Sequence, residues 1–329
     1  MRVLVTGSAG FIGFHLTSKL IESGHEVLGI DNINNYYDIS LKRLRLEILS
    51  NSSNFKFLKG DISNQEFVRY IFSENKFDSV IHLAAQAGVR LSILDYGKYT
   101  QSNLVGFENI ASQVKFNEIS NFLYASSSSV YGDLAKIPLS EEETTLTPNS
   151  YYGATKLSNE IVANTLFRDT KINTRGLRFF SVYGPFGRPD MAYFKLMRSI
   201  ILGSEFSLYG DGSLKRDFTY IDDVTTMVMA LLTQMQKSKS AICDVVNIGG
   251  GFPKAMNELI DLVEKVTNKK VQIKYEKAFK DDSKITWADS SYLHELIGIT
   301  PETPLREGIE QTYNWISSPE SILNVQNWI

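Results

Sequence analysis

Tyr152 and Lys156 stand four apart in SYYGATK, and four consecutive serines, Ser126–Ser129, stand in YASSSSVYG. Together these side chains could move a proton on and off a hydroxyl. A phenol with a pKa near ~10 must lose roughly three units to act as a base near neutrality; an ammonium about 4 Å away, in an effective dielectric of ~20, supplies roughly 4 kcal/mol, about that much. With 16 tyrosines in 329 residues, a Tyr-x-x-x-Lys spacing arises about once by chance, so its position must decide. The pair opens a helical pattern, where residues i and i+4 share a face, one strand–helix step after the serines. Serines at a strand end ordinarily punctuate a turn, because their hydroxyls bond nearby backbone.

A second constellation precedes it. VLVTGSAGFIG sets Gly7, Gly10 and Gly13 at three-residue spacing between a strand and a helix. Glycines permit close backbone approach, and a helix N-terminus offers free N–H groups and a positive dipole end to a diphosphate. Such turns also occur without ligands, but Asp31 ends the next strand about 20 residues on, where a carboxylate accepts bonds from an adenosine ribose. That charge repels a 2′-phosphate and favours NAD over NADP. Lys42 and Arg43 follow and read as solvated helix charges, while Asp61 and Ile62, after the third strand, are expected at the adenine edge.

These residues need a scaffold. Strand-like runs at 2–6, 26–31, 55–60, 79–84, 121–126 and 173–180 alternate with helix-like segments such as 11–23, 99–116 and 152–167. The alternation predicts an α/β fold: a doubly wound parallel sheet covered on both faces. After about residue 180 the rhythm breaks at YGPFGRPD, and one more sheet-like run appears at 243–249. We expect a dinucleotide-binding domain over 1–180, with segments near 222–250 returning to it, and a smaller, discontinuous substrate lobe over 181–329. A net charge of −3 gives no reason to expect nucleic acid. One cysteine, Cys243, excludes an intramolecular disulfide and fits a reducing, cytoplasmic setting; it reads as a small core thiol. Met1-Arg2 leads straight into the first strand, too short a start for a signal peptide. His82 reads as a core histidine, His15 and His25 as helix-surface and loop residues, and four scattered histidines argue against a metal site.

The combined motifs resemble the extended short-chain dehydrogenase/reductases, and within them the nucleotide-sugar epimerases. The matching stretches are TGSAGFIG, DNINNYYD, GDI, HLAAQAGVR, NLVGFENI, ASSSSVYG, YYGATK, RFFSVYGPFGRPDMAYF and RDFTYIDDV. The resemblance implies tightly held NAD, a UDP-sugar between the two parts, and a homodimer packed through helices near 99–116 and 152–167. It implies catalysis by Ser127, Tyr152 and Lys156, with Phe11, Ile12, Asn32, Leu83, Ala84 and Ala85 also at the dinucleotide and Asn103 and Gly106 as helix-packing positions. Related dehydratases resemble the serine segment but carry Asp and Glu where this chain has Ser128 and Ser129, so hydroxyls stand here in place of an acid. Tyr183–Phe194 resembles the corresponding stretch of UDP-glucuronate 4-epimerases. The implied substrate-facing residues are Arg90, Ser128, Ser129, Ser181, Arg188, Tyr193, Phe194, Arg216, a diphosphate-binding arginine, and Asp282. One departure is KDDSKITWAD, where Lys280-Asp281 replaces a Pro-Gly turn of the relatives. The expected reaction is 4-epimerisation of UDP-glucuronate; epimerisation of neutral UDP-sugars and a non-catalytic dinucleotide sensor remain open alternatives.

Overall fold

The computed structural model describes residues 1–89, 95–279, 283–322, 325, 327 and 328. The first half alternates as expected: β1 (Arg2–Thr6), α1 (Phe11–Glu22), β2 (Glu26–Asp31), α2 (Ile39–Ser50), β3 (Phe55–Lys59), α3 (Gln65–Glu74) and β4 (Ser79–His82). Next, α4 (Tyr96–Tyr99) runs through a π-helical turn, Thr100–Val105, into α5 (Gly106–Phe116), followed by β5 (Asn121–Ser127), α6 (Tyr151–Phe167) and β6 (Asn173–Phe179). The second half mixes β7 (Ser181–Tyr183), α7 (Ala192–Leu202), β8 (Phe206–Tyr209), β9 (Lys215–Tyr220) and α8 (Ile221–Lys237) with β10 (Cys243–Ile248) and β11 (Pro253–Ala255). It finishes with α9 (Met256–Thr267), β12 (Ile273–Glu276), α10 (Ser291–Ile297), α11 (Leu305–Ile316) and a short turn at Pro319–Ile322.

Seven strands form one parallel sheet in the order β10-β6-β5-β4-β1-β2-β3. Both faces are buried, and the apolar side chains sort with the two-residue period of a strand: Val3 and Val5 join the cluster beneath α1 and α8, while Leu4 joins the one beneath α3, α5 and α6. Strand β10, from the later half of the chain, closes one edge of this sheet. Two smaller sheets, β11-β9-β7 and β12-β8, build the second part. Side-chain caps set the helix starts at the site: Ser150 accepts from the Gly153 N–H at 3.0 Å to open α6, and Asp38 accepts from Ser40 at 2.7 Å to open α2.

Three expectations change. Cys243 sits half-buried at the start of an edge strand, facing Asn164, rather than deep in the core. Lys42 is buried, and His15 is half-buried against the second part of the chain, with Nε2 on the Pro185 carbonyl at 2.9 Å. Position along a helix does not reveal that another segment will fold over it. Among the described residues no helix is long and apolar enough to cross a membrane.

Candidate active site

A cavity of about 740 Å³ opens along the C-terminal ends of the parallel strands and extends between the two parts of the chain. At its centre β5 ends in the serine run. Ser127 is extended and buried, its hydroxyl accepting from the Ser129 N–H at 3.1 Å, while Ser128 and Ser129 turn into the cavity. Ser126 is different: its hydroxyl donates to Glu160, which also takes a two-pronged grip from buried Arg178 at 2.8 and 2.9 Å. Ser126 therefore fastens the strand end to α6, four residues beyond Lys156. Helix α6 comes so close that a Cβ on Gly153 would lie 2.5 Å from the Ser129 carbonyl oxygen.

Tyr152 lies on the first turn of α6 and lines the same cavity as Ser127. Burial pushes its phenol above the ordinary value, opposed first by the Arg188 guanidinium and then by the Ser127 hydroxyl. The expectation that Lys156 would poise this phenol is modified: Lys156 donates to the Ala125 carbonyl at 2.9 Å, and burial brings its own pKa down to about 8. The cation opposing burial at Tyr152 is thus Arg188. Burial is the leading influence on both Tyr152 and Lys156, each disfavoured in its charged form.

The other end of the cavity is shaped for a dinucleotide. Gly7 has φ +76°, and a Cβ there would lie 2.7 Å from the Ala84 nitrogen, so only glycine lets the loop close onto that strand. Helix α1 begins at Gly10 with no side-chain cap and no acid in its first turn, leaving free N–H groups beside Phe11, Ile12 and Gly13. His82, buried and with its pKa lowered to about 3 by burial and then by Lys156, bonds Thr6 at 2.7 Å. The Thr6 hydroxyl in turn accepts from Ala84, fixing the Leu83–Ala85 wall. Asp31, Asn32 and Ile62 line the pocket as expected. Lys42 does too, bonding Asp31 at 3.4 Å and Asn34 at 3.0 Å. Asp61 is a correction. Its carboxylate accepts from Asn32 at 2.9 Å and from Ser63, bonds that outweigh burial and hold its pKa low; it positions Asn32 and does not line the cavity.

At the opposite end stand Ser181, Arg188, Tyr193 and Arg216. Arg216 donates to the Ser283 carbonyl at 2.7 Å, beside cavity-lining Thr286. Arg188 makes two bonds to Asp190, at 3.0 and 2.6 Å, and Asp190 also accepts from Tyr36 at 2.9 Å. Phe194 is a second correction: fully buried, it packs on Trp315 and Trp328, since the residue after Tyr193 on a helix faces away from the cavity. Arg90, Asp282 and the Lys280-Asp281 departure lie outside the described residues. Sequence reasoning missed Tyr36 and Asp190, although both fall inside matching stretches; a carboxylate two residues after an arginine in a loop was the available signal.

The model of the NAD dependent epimerase/dehydratase family matches residues 3–249. A UDP-glucuronate 4-epimerase of Thermodesulfobacterium geofontis is 39% identical, aligned over 95% of each chain. The structure is similar to that of a Bacillus cereus UDP-glucuronic acid 4-epimerase in complex with UDP-glucuronic acid and NAD (TM-score 0.89, 35% identity, 96% of this chain and 99% of that one). It is also similar to a Thermotoga maritima UDP-glucose 4-epimerase with UDP-glucose (TM-score 0.86, 29% identity, 96% and 98%).

Proposed function

The chain belongs to the NAD dependent epimerase/dehydratase family, and from that premise we propose that it interconverts UDP-glucuronate and UDP-galacturonate by 4-epimerisation. NAD, when bound, supplies the acceptor and donor for the C4 hydride. Gly7, Gly10 and the first turn of α1 would hold its diphosphate, Asp31 its adenosine ribose, and Lys156 its nicotinamide ribose. Tyr152, as phenolate, draws the proton from the sugar 4-hydroxyl directly or through Ser127, and gives it back after the 4-keto sugar has turned its other face. The reaction returns every electron it takes, so the cofactor need not leave.

The observation that carries the acidic substrate is Arg188. It lines the same cavity as Tyr152 and Ser127–Ser129, and in this reading it faces C5, which bears the glucuronate carboxylate beside C4. Oxidation at C4 makes a β-keto acid, which loses CO₂ when the C5–carboxylate bond aligns with the carbonyl π system. Hydroxyls of Ser127, Ser128, Ser129 and Ser181, each modest at ~1 kcal/mol, together with Arg188 can hold the carboxylate where that overlap is poor. A neutral sugar is the second reading, favoured by the pairing of Arg188 with Asp190, which leaves the two without net charge. Both readings are separated by incubating the enzyme with UDP-glucuronate, UDP-glucose and UDP-N-acetylglucosamine and resolving products by NMR. Conversion of UDP-glucuronate to UDP-galacturonate is expected; preference for UDP-glucose overturns the substrate assignment. Arg188→Ala is expected to release CO₂ and a UDP-4-keto-pentose, the C4 hydride staying behind as NADH so that added NAD sustains further release, and a variant that merely slows removes the carboxylate-holding role. The protein acts as a cytoplasmic homodimer in this reading, packed through α5 and α6, where Phe116 and Ile161 stand 81% and 60% exposed.

A further inference from the structure

Arg45, on α2, is fully buried, and among the described residues no carboxylate pairs with it. Its guanidinium instead bridges two stretches far apart in sequence. Nη1 donates to the Ala9 carbonyl of the glycine loop at 2.8 Å and to the Tyr37 hydroxyl at 2.6 Å; Nη2 donates to the carbonyls of Phe186 at 2.6 Å and Gly187 at 3.3 Å. His15, on α1, donates through Nε2 to Pro185. Three consecutive carbonyls just before Arg188 are thus held by side chains of the dinucleotide-binding half. Phe186 itself has φ +53°, a left-handed conformation a bulky residue rarely adopts, and its ring is wedged against Phe14 and Trp315. Beyond Arg188, Asp190 is tied to Tyr36, the neighbour of Tyr37.

A buried cation balanced by carbonyl dipoles and by the hydroxyl and ring of Tyr37, with no carboxylate, is a poor way to gain stability, because burying its charge carries a large desolvation cost. What the arrangement does provide is a fixed distance between the diphosphate loop and the segment carrying Arg188. We infer that Arg45 is a positioning residue that couples the dinucleotide-holding loop to the placement of Arg188 over the sugar. An ordered glycine loop then presents Ala9 to Arg45, and Arg45 sets the backbone from which Arg188 projects. The inference rests on the reading of Arg188 given above.

The test uses the NAD-loaded enzyme and compares Arg45→Met, Arg45→Lys, Arg188→Ala and the Arg45→Met/Arg188→Ala double variant. Melting temperature and bound NAD are measured alongside KM and kcat for UDP-glucuronate and the fraction of turnover released as CO₂. Arg45→Met is expected to raise KM about tenfold, as for loss of a charged hydrogen bond, and to release CO₂, with kcat reduced much less. Arg45→Lys, which reaches one set of carbonyls but not both, is expected to fall between wild type and Arg45→Met, and carries the test alone if the methionine variant does not fold. The double variant is expected to be no worse than Arg188→Ala, since both changes disturb one element. Arg45 variants that leave KM and CO₂ release at wild-type values while Arg188→Ala changes them overturn the coupling, as does a double variant whose effects multiply. An Arg188→Ala enzyme with wild-type KM and no CO₂ overturns the reading of Arg188 itself, and the coupling falls with it.

Discussion

At the scale of single residues, the proposed reaction separates a group that reacts from groups that hold. Tyr152→Phe removes the phenol and leaves the packing of α6 intact, so turnover is expected to fall by at least about a thousandfold, within the range for losing a general base. Bound NAD, assayed in the supernatant after denaturation, is expected to match wild type. A Tyr152→Phe enzyme retaining half its rate would remove Tyr152 from the chemistry. That the serines, the tyrosine and the lysine line one cavity was legible in sequence, because they fall one strand–helix step apart along the sheet. The cation that opposes burial at Tyr152 was not: Arg188 shares the cavity with it only because the chain folds back to bring residue 188 there. Nor was the fate of Ser126, whose neighbour in space, Glu160, lies on another element.

At the scale of elements, the catalytic geometry depends on how tightly α6 lies on the end of β5. Gly153→Ala would improve helix propensity by about 1 kcal/mol, yet its Cβ would lie 2.5 Å from the Ser129 carbonyl. The helix and the serine turn must then part by a fraction of an ångström. We expect kcat to fall about tenfold or more, as misplacement of reacting groups does, with bound NAD unchanged; an unaltered kcat would show that the contact yields freely. On the outer side of α6, where the proposed homodimer packs, wild type is expected to run as a dimer in light scattering and Ile161→Glu as a monomer, because a carboxylate cannot be buried unpaired at an apolar interface. A variant that stays dimeric places the interface elsewhere. Strands and helices of the first half were readable because each carries its own apolar period. Short strands such as β7 and β11 were not, since three residues have no period to read and form only by pairing with β9.

At the scale of the whole molecule, the two parts are joined by contacts with their own pH dependence. Burial foremost, then Arg45, lowers His15 to about 4 despite its bond to Pro185, against ~6.5 in an unfolded chain. Between those values the unfolded state binds a proton that the folded state refuses, so stability falls as pH drops from 6.5 towards 4, by up to about 3 kcal/mol from this group. His82, lowered to about 3, extends the loss in the same direction. Thermal melts are expected to decline across this window, and His15→Gln to decline less steeply than wild type; parallel curves would acquit His15. The expected division of the chain at residue 180 came from a change of rhythm, while the contacts that Arg45 and His15 make with residues 185–187 left no sequence pattern, because carbonyls accept from any donor that reaches them. The place of β10 has a consequence for making the protein in pieces. Strand β6 finds its outer partner more than sixty residues later, at Cys243–Ile248. A truncation ending at Phe180 would therefore uncover a strand that is otherwise buried and leave it with a row of unsatisfied backbone groups, a template for intermolecular pairing. Such a fragment is expected to accumulate as insoluble protein, and a monodisperse, NAD-binding fragment would show that the sheet tolerates an open edge there.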